Sequence, residues 1–202
     1  MQQKAFDKVI AGVYDGVLLV LEHNPAFTIG ASGGFENFLI PKEELEKAEV
    51  DIVETKRGGN ITFHGPGQIV AYPIFSLEKL KKDAHWYINC LEEVVIETLS
   101  DYGIHGYRKP EYRGVWVGND KISALGVHLK KWTTFHGLSL NVHMDKEYFN
   151  MINPCGITEF GVSNLSDYDA SIEINQVKEL LVRNFQKVFK IELENADESI
   201  LE

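Results

Sequence analysis

The chain contains few cysteines and prolines, and it lacks any long apolar run. Only two cysteines and six prolines occur among its 202 residues. Cys90 and Cys155 alone make a poor disulfide framework, and no close Cys/His spacing suggests a structural zinc site. No stretch approaches the roughly 18 apolar residues that a membrane-spanning helix requires. We therefore predict no metal site and no membrane segment.

The N-terminus also lacks the features of an export signal. Residues 1–16, MQQKAFDKVIAGVYDG, have neither a basic start nor a small-residue cleavage site. This composition predicts a cytoplasmic protein.

Basic residues are scarce as well. The chain has 20 Lys and Arg against 30 Asp and Glu, giving a formal net charge of −10. Binding to nucleic acid depends on clustered cations that neutralise phosphates. The one basic cluster, Lys79, Lys81 and Lys82, is too small for that, so no nucleic-acid partner is predicted.

Length and pattern favour one domain of mixed architecture. The 202 residues show no repeat and no linker composition, which predicts a single catalytic domain over 1–202. Apolar runs predict strands and 3.6-residue periodicity predicts helices. The predicted strands span 17–22, 50–53, 68–75, 113–117, 122–129 and 133–142, with helices after Pro41, over 83–102 and around 177–189. The fold class is α+β, a mixed sheet backed by helices.

The most unusual segment is RGGNITFHGPGQ at 57–68. Glycines let backbone N–H groups approach a ligand, and two glycine clusters around a histidine favour a binding role over a plain turn. The GxxxxGK[ST] pattern is absent, so this is not a P-loop.

Two further positions attract attention only in combination. Lys121, in KISALG, would by itself be a solvated surface lysine, but beside a nucleophile a desolvated amine can act as a base. Cys155 lies in NPCGI, where proline and glycine suggest an exposed loop thiol. Cys90 lies inside a helix and fits the usual buried cysteine. His136, in FHGLSLN, is by itself more typical of a structural histidine.

Five motifs in order resemble the lipoate-biosynthesis octanoyltransferases. They are EHNPAFTIG at 22–30, RGGNITFHGPGQ at 57–68, GVWVGNDKISALG at 114–126, HGLSLNV at 136–142 and NPCGI at 153–157. The resemblance extends over about 17–190. It implies the fold of lipoate ligases and of the biotin ligase catalytic domain. It also implies transfer of octanoyl from octanoyl-acyl carrier protein to a lysine of a lipoyl domain.

The resemblance also implies roles for individual residues. Cys155 would carry the acyl thioester and Lys121 would lower its pKa. The acceptors would be lipoyl domains of 2-oxoacid dehydrogenases and the glycine-cleavage H protein, with no cofactor and no metal. The substrate-binding residues would be Arg57, Gly58, Gly59, Asn60, Ile61, Thr62, Phe63, His64, Ala124, Leu125, Gly126, Gly137, Leu138 and Ser139.

Three alternatives remain open at this point. The first is an ATP-dependent lipoate- or biotin-type ligase of the same fold, which would form an acyl-adenylate and need no cysteine. The second is a non-catalytic module that binds a lipoyl or carrier protein. The third is a transferase with another donor or acceptor.

Overall fold

The computed structural model describes residues 1–47, 50–153 and 160–201. The helices are α1 (Gln2–Ile10), α2 (Lys42–Lys47), α3 (Ala84–Ser100) and α4 (Ile174–Phe189). The strands are β1 (Gly16–Leu21), β2 (Ala26–Ile29), β3 (Asp51–Glu54), β4 (Ile61–His64), β5 (Gln68–Phe75), β6 (Tyr107–Lys109), β7 (Tyr112–Val117), β8 (Asp120–Lys130) and β9 (Thr133–Asn141). The predicted α+β class is confirmed.

The strands form two sheets. The large sheet has the order β1-β5-β9-β8-β7-β6, and each neighbouring pair in it is antiparallel. The small sheet has the order β3-β2-β4, with β2 parallel to β3 and antiparallel to β4. The predicted hairpin is confirmed: Val117 pairs with Asp120 around a turn in which Gly118 has φ +57°.

Helices α3 and α4 cover one face of the large sheet. Their apolar stripes bury residues such as Leu91, Leu99, Leu181 and Phe185 against Ile69 of β5. The Asp83 carboxylate caps α3 by accepting a hydrogen bond of 2.9 Å from the Trp86 backbone N–H. This is the main core of the part of the chain that the structure describes.

The small sheet has its own core on the side away from the large sheet. Phe27 and Phe63 are buried there, and the ring of Phe63 stacks on Tyr148 with 4.2 Å between centroids. Such stacking adds to the free energy gained from burial alone. The other side of the small sheet faces the large sheet.

Several elements were not predicted. Helix α1 packs its buried Phe6 against β1 and β5 and contacts Phe135 edge-on, with centroids 5.5 Å apart. Strands β2, β4 and β6 are three or four residues long and carried no periodic signal. Within the described ranges, no helix combines the length and apolarity needed to cross a membrane.

Candidate active site

A cavity of about 780 Å³ lies between the two sheets. Its walls come from the inner face of the small sheet, including Thr28 and Thr62, and from the face of the large sheet opposite α3 and α4. Because strand side chains alternate between faces, each sheet gives one face to a core and the other to the cavity. The site is therefore a slot between two sheets.

The floor of the slot is made of small residues. Ala124, Ser139 and Val70 lie in one row across β8, β9 and β5, and Gly126 pairs with Gly137 in the next row. All of them line the cavity. A floor with so little side-chain volume leaves room for an extended apolar chain.

The paired glycines are required by close packing. A Cβ on Gly137 would lie 2.1 Å from the Ala71 carbonyl oxygen, and a Cβ on Gly126 would lie 2.9 Å from Cδ of Arg57. Both distances are shorter than a carbon side chain tolerates. Larger residues at these positions would therefore displace the walls of the cavity.

Arg57 connects the two sheets. Its guanidinium donates hydrogen bonds to the carbonyl and the hydroxyl oxygen of Thr28 in β2, at 2.5 and 2.9 Å from Nη2. The next residue, Gly58, donates its backbone N–H to the carbonyl of Val127 in β8, at 2.9 Å. Arg57 is 8% exposed. The side chain and the adjoining backbone thus fix the gap between the sheets.

A β-bulge directs Lys121 toward the cavity. Val115 pairs with Ser123, but the next residue Trp116 pairs with Lys121, so Ile122 is the extra residue on β8. Ile122 is buried in the main core, whereas Lys121 and Trp116 line the cavity. A regular strand would place Lys121 on the same face as Ser123. The bulge reverses that and brings the lysine into the slot.

An aromatic ring lies beside this lysine. Lys121 Nζ lies 4.9 Å from the ring centroid of Trp116, and Phe160 packs edge-on against that ring at 5.2 Å. A second ammonium group, of Lys109, lies 3.7 Å from the Phe160 ring and 4.2 Å from the Trp116 ring. The backbone of Lys121 receives a hydrogen bond from Ser163 and donates one to Gly161.

The other part of the cavity wall carries histidines and a tyrosine. A hydrogen bond of 2.6 Å joins His23 Nε2 and Tyr72 Oη, and His64 Nδ1 lies 2.7 Å from Gln68 Oε1. Burial lowers the pKa of His64 and of His136 to about 4 and raises the pKa of Tyr72 to about 12. The rings of His64, His136 and Tyr72 are therefore neutral at pH 7.

Most of the predicted site residues come together in this slot. Gly58 and Phe63 are not among the described residues that line it. Gly58 pairs with β8, and Phe63 points into the small sheet's core because β4 alternates faces. Those that line the slot are Lys121, Arg57, Gly59, Asn60, Ile61, Thr62, His64, Ala124, Leu125, Gly126, Gly137, Leu138 and Ser139.

The structure describes only one of the two cysteines. Cys155 lies outside the described residues, within 154–159. The chain is described again from Phe160, and residues 160–162 line the cavity beside Lys121. Cys90 is buried in the main core, and burial raises the pKa of its thiol to about 11. The prediction of a buried Cys90 is confirmed.

Some cavity residues were not predicted from the sequence. His23 and Tyr72 were not assigned any role, although His23 belongs to the EHNP motif and Tyr72 occupies an inward position of β5. The signal that could have indicated Tyr72 was the occurrence of polar residues at alternate positions of the otherwise apolar strand β5. Among the described residues, no group of three or more metal-ligating side chains is assembled.

Comparison with known proteins agrees with this geometry. The family model of the lipoyl protein ligase A/B catalytic domain matches residues 1–186. An octanoyltransferase from Clostridium kluyveri is 49% identical over 193 residues, covering 96% of this chain and 83% of that protein. One from Thermoanaerobacter pseudethanolicus is 51% identical over 192 residues, covering 95% and 84%.

Solved structures share the fold at low sequence identity. A lipoate-protein ligase A bound with ATP has a TM-score of 0.80 at 17% identity and covers 96% of this chain and 83% of that one. A biotin protein ligase from Aquifex aeolicus in complex with biotin and ATP has a TM-score of 0.54 at 15% identity, covering 81% and 70%. The fold prediction is confirmed. The chain belongs to the lipoyl protein ligase A/B catalytic-domain family and, within it, to the octanoyltransferases.

Proposed function

We propose that this protein is a cytoplasmic octanoyltransferase of protein lipoylation. It transfers octanoyl from octanoyl-acyl carrier protein to a specific lysine of lipoyl domains, including those of 2-oxoacid dehydrogenases and the glycine-cleavage H protein. The observation that carries the proposal is the slot between the sheets, where a floor of small residues leads to a lysine that a β-bulge directs inward. Relatives of about 50% identity named octanoyltransferase support the same activity.

The proposed reaction has two steps and returns the enzyme to its starting state. Lys121 takes the thiol proton of Cys155, and the thiolate attacks the octanoyl thioester. An acyl–Cys155 thioester forms, and the departing carrier thiolate takes the proton from Lys121. The lysine of the lipoyl domain then attacks the acyl–Cys155 carbonyl. Lys121 accepts the proton of the attacking amine as the amide forms and Cys155 leaves as a thiolate, and the Lys121 ammonium then returns that proton to the Cys155 sulfur.

The energetics require no ATP. Exchange between two thioesters is nearly balanced, and the final amide is more stable than the thioester it replaces. The last step therefore drives the sequence forward. A slot of limited length favours one chain length only modestly, since one methylene discriminates by about 1–3 kcal/mol.

Intact-mass spectrometry after incubation with octanoyl-acyl carrier protein tests the nucleophile. We expect one added octanoyl group on the wild type and on Cys90→Ala, the matched control, and none on Cys155→Ala. An adduct that persists on Cys155→Ala would show that the nucleophile is another residue. Release of AMP or pyrophosphate from octanoate, ATP and Mg²⁺ would instead indicate the ligase reaction.

The lysine is tested by the pH dependence of acylation. Lys121→Ala should slow acylation at neutral pH by about 10²–10⁴-fold, the usual contribution of a positioned base, and move the optimum upward. Lys130→Ala, on the exposed end of the same strand, is the control and should behave as wild type. An unchanged pH profile in Lys121→Ala would remove this residue from the proton-handling role.

A further inference from the structure

A chain of hydrogen bonds runs from the backbone of Lys121 to the ring of His64. The Ser163 backbone N–H donates to the Lys121 carbonyl at 3.1 Å, and the Ser163 carbonyl accepts from Asn141 Nδ2 at 3.1 Å. Asn141 Oδ1 accepts from Gln68 Nε2 at 2.9 Å. Gln68 Oε1 lies 2.7 Å from His64 Nδ1. The chain thus joins the strand of the proposed base to a histidine of the cavity wall.

Backbone carbonyls at two points fix the direction of this chain. Asn141 Nδ2 faces the carbonyl of Ser163, and Gln68 Nε2 lies 3.3 Å from the carbonyl of Phe63. A carbonyl can only accept, so each side-chain amide has one orientation that satisfies its neighbours. Gln68 therefore presents its oxygen to His64, and the proton of that ring resides on Nδ1.

Burial makes the alternative orientation costly. Gln68 is 0%, Ser163 2% and Asn141 4% exposed. Turning either amide would leave buried polar atoms unpaired, at a cost of about 1–3 kcal/mol for each. His64 Nε2 consequently keeps its lone pair. That nitrogen has no hydrogen-bond partner among residues 1–47, 50–153 and 160–201, and the ring lines the cavity.

Burial and a neighbouring cation keep the ring neutral. Burial is the largest cause of the low pKa of His64, and the positive charge of Arg57 acts in the same direction. Gln68 supplies a hydrogen bond but no charge. At neutral pH the ring is therefore a neutral imidazole with one acceptor nitrogen.

We propose that Gln68 and Asn141 are positioning residues that hold His64 in its Nδ1-protonated tautomer, so that Nε2 accepts a hydrogen bond from a substrate N–H group. The identity of that substrate rests on the proposed octanoyl transfer. The acyl chain has no donor, so the N–H belongs either to an amide of the thioester donor's arm or to the amine of the acceptor lysine.

Imidazole nitrogen–proton correlation spectra of ¹⁵N-histidine-labelled protein test the tautomer without substrate. The His64 signals are assigned by their loss in His64→Gln. We expect the Nδ1–H form alone in the wild type, and both forms in Asn141→Ala, where the Gln68 amide can turn. Asn184→Ala is the matched control, because this buried asparagine bonds Thr98 and Asp101 instead; it should leave the spectrum unchanged.

Two outcomes of the spectra would overturn the inference. One is an Nε2–H form that predominates in the wild type. The other is a single Nδ1–H form that persists in both Asn141→Ala and Gln68→Leu. The second of these variants keeps the test valid should the first fail to fold. Because neither measurement involves octanoyl, the tautomer assignment stands or falls separately from the proposed function.

Single-turnover kinetics of Gln68→Glu test the acceptor role. A carboxylate at position 68 keeps the proton on Nδ1 but raises the pKa of His64, so that Nε2 becomes protonated and can no longer accept. We expect one step to slow about tenfold, the equivalent of one hydrogen bond, and to recover as the pH rises and the ring loses that proton. A slower acylation step identifies the donor's amide, and a slower transfer step identifies the acceptor amine.

The kinetic result tests the acceptor role of His64 separately from its tautomer and from the proposed function. If the spectra show a protonated His64 in Gln68→Glu and both steps keep wild-type rates, the acceptor role is excluded. If the wild type transfers no octanoyl at all, the proposed function fails while the tautomer assignment is still decided by the spectra.

Discussion

The two faces of the large sheet serve opposite purposes. One face carries Ile69 and Leu140, which are fully buried beneath α3 and α4. The other carries Ser139 and Gly137 from the same strand β9, and it remains unfilled toward the small sheet. Because alternate residues of one strand supply both faces, stability and ligand space are set by neighbouring positions that hardly interact.

Truncating the packed face should produce the largest change in stability. Phe185 is fully buried on α4 and contacts the rings of Phe75 and Phe189. Phe185→Ala should lower the free energy of unfolding by about 3–5 kcal/mol through the cavity it leaves. Transfer activity per folded molecule should stay unchanged, because the cavity face is untouched. Urea unfolding and single-turnover assays measure the two quantities.

Gln176→Ala is the control for that experiment, since Gln176 is exposed on the same helix. It should shift stability by no more than about 0.5 kcal/mol. If Phe185→Ala lost activity at a temperature where it remains folded, the two faces would be coupled and the comparison would fail.

Filling the open face should change specificity instead. Ala124→Leu adds volume to the floor of the slot, because Ala124 lines the cavity. We expect octanoyl to lose against butanoyl by about 10–200-fold in acylation rate, the effect of about one methylene in an apolar pocket, with little change in the free energy of unfolding. Parallel acylation assays with octanoyl- and butanoyl-acyl carrier protein measure this ratio. Lys130→Leu, at the exposed end of β8, should leave the ratio unchanged, and equal slowing of both chains in Ala124→Leu would argue against a steric floor.

Acid should lower the free energy of unfolding by a smaller amount, through the histidines of the cavity wall. The folded pKa of His64 and His136 is about 4, below the usual 6.5. The unfolded chain therefore binds more protons between these values, and stability should fall as the pH drops from about 6.5 toward 4. Partial exposure of both rings limits the size of the effect. Urea unfolding across this range measures it, and the slope should decrease in His64→Gln; an identical slope would contradict the assignment.

Long periodic segments allowed accurate prediction of the elements that build the large sheet. Strand β5 was predicted at its observed bounds, and α3, α4, β8 and β9 within a few residues. Strand β4 was missed because its four residues lie inside the glycine-rich segment, and it pairs with β2 at a distance in sequence that local patterns cannot show. The glycine-rich motif 57–68 therefore contains a strand that its composition did not predict.

Most residues predicted from the motifs line the slot, but the contacts that position them were not predictable. The resemblance indicated Arg57 as a substrate-binding residue, and the structure adds that its guanidinium ties β2 to the segment that pairs with β8. That contact depends on Thr28, which is 29 positions away in sequence. The hydrogen-bonded chain through Gln68 and Asn141 likewise joins residues 73 positions apart. Such pairings arise from the register of the sheet, which a single sequence does not specify.

The extra residue at Ile122 has a consequence for how this hairpin tolerates change. Between the turn at Gly118 and Ser123, the side chains of a regular strand would alternate between the two faces of the sheet. The bulge interrupts that alternation once. Regular pairing of the same residues, without the bulge, would turn the ammonium group of Lys121 toward the apolar core and point the side chain of Ile122 into the slot, although no residue had changed. The way this short stretch pairs is therefore under tighter physical constraint than the identity of most of its residues.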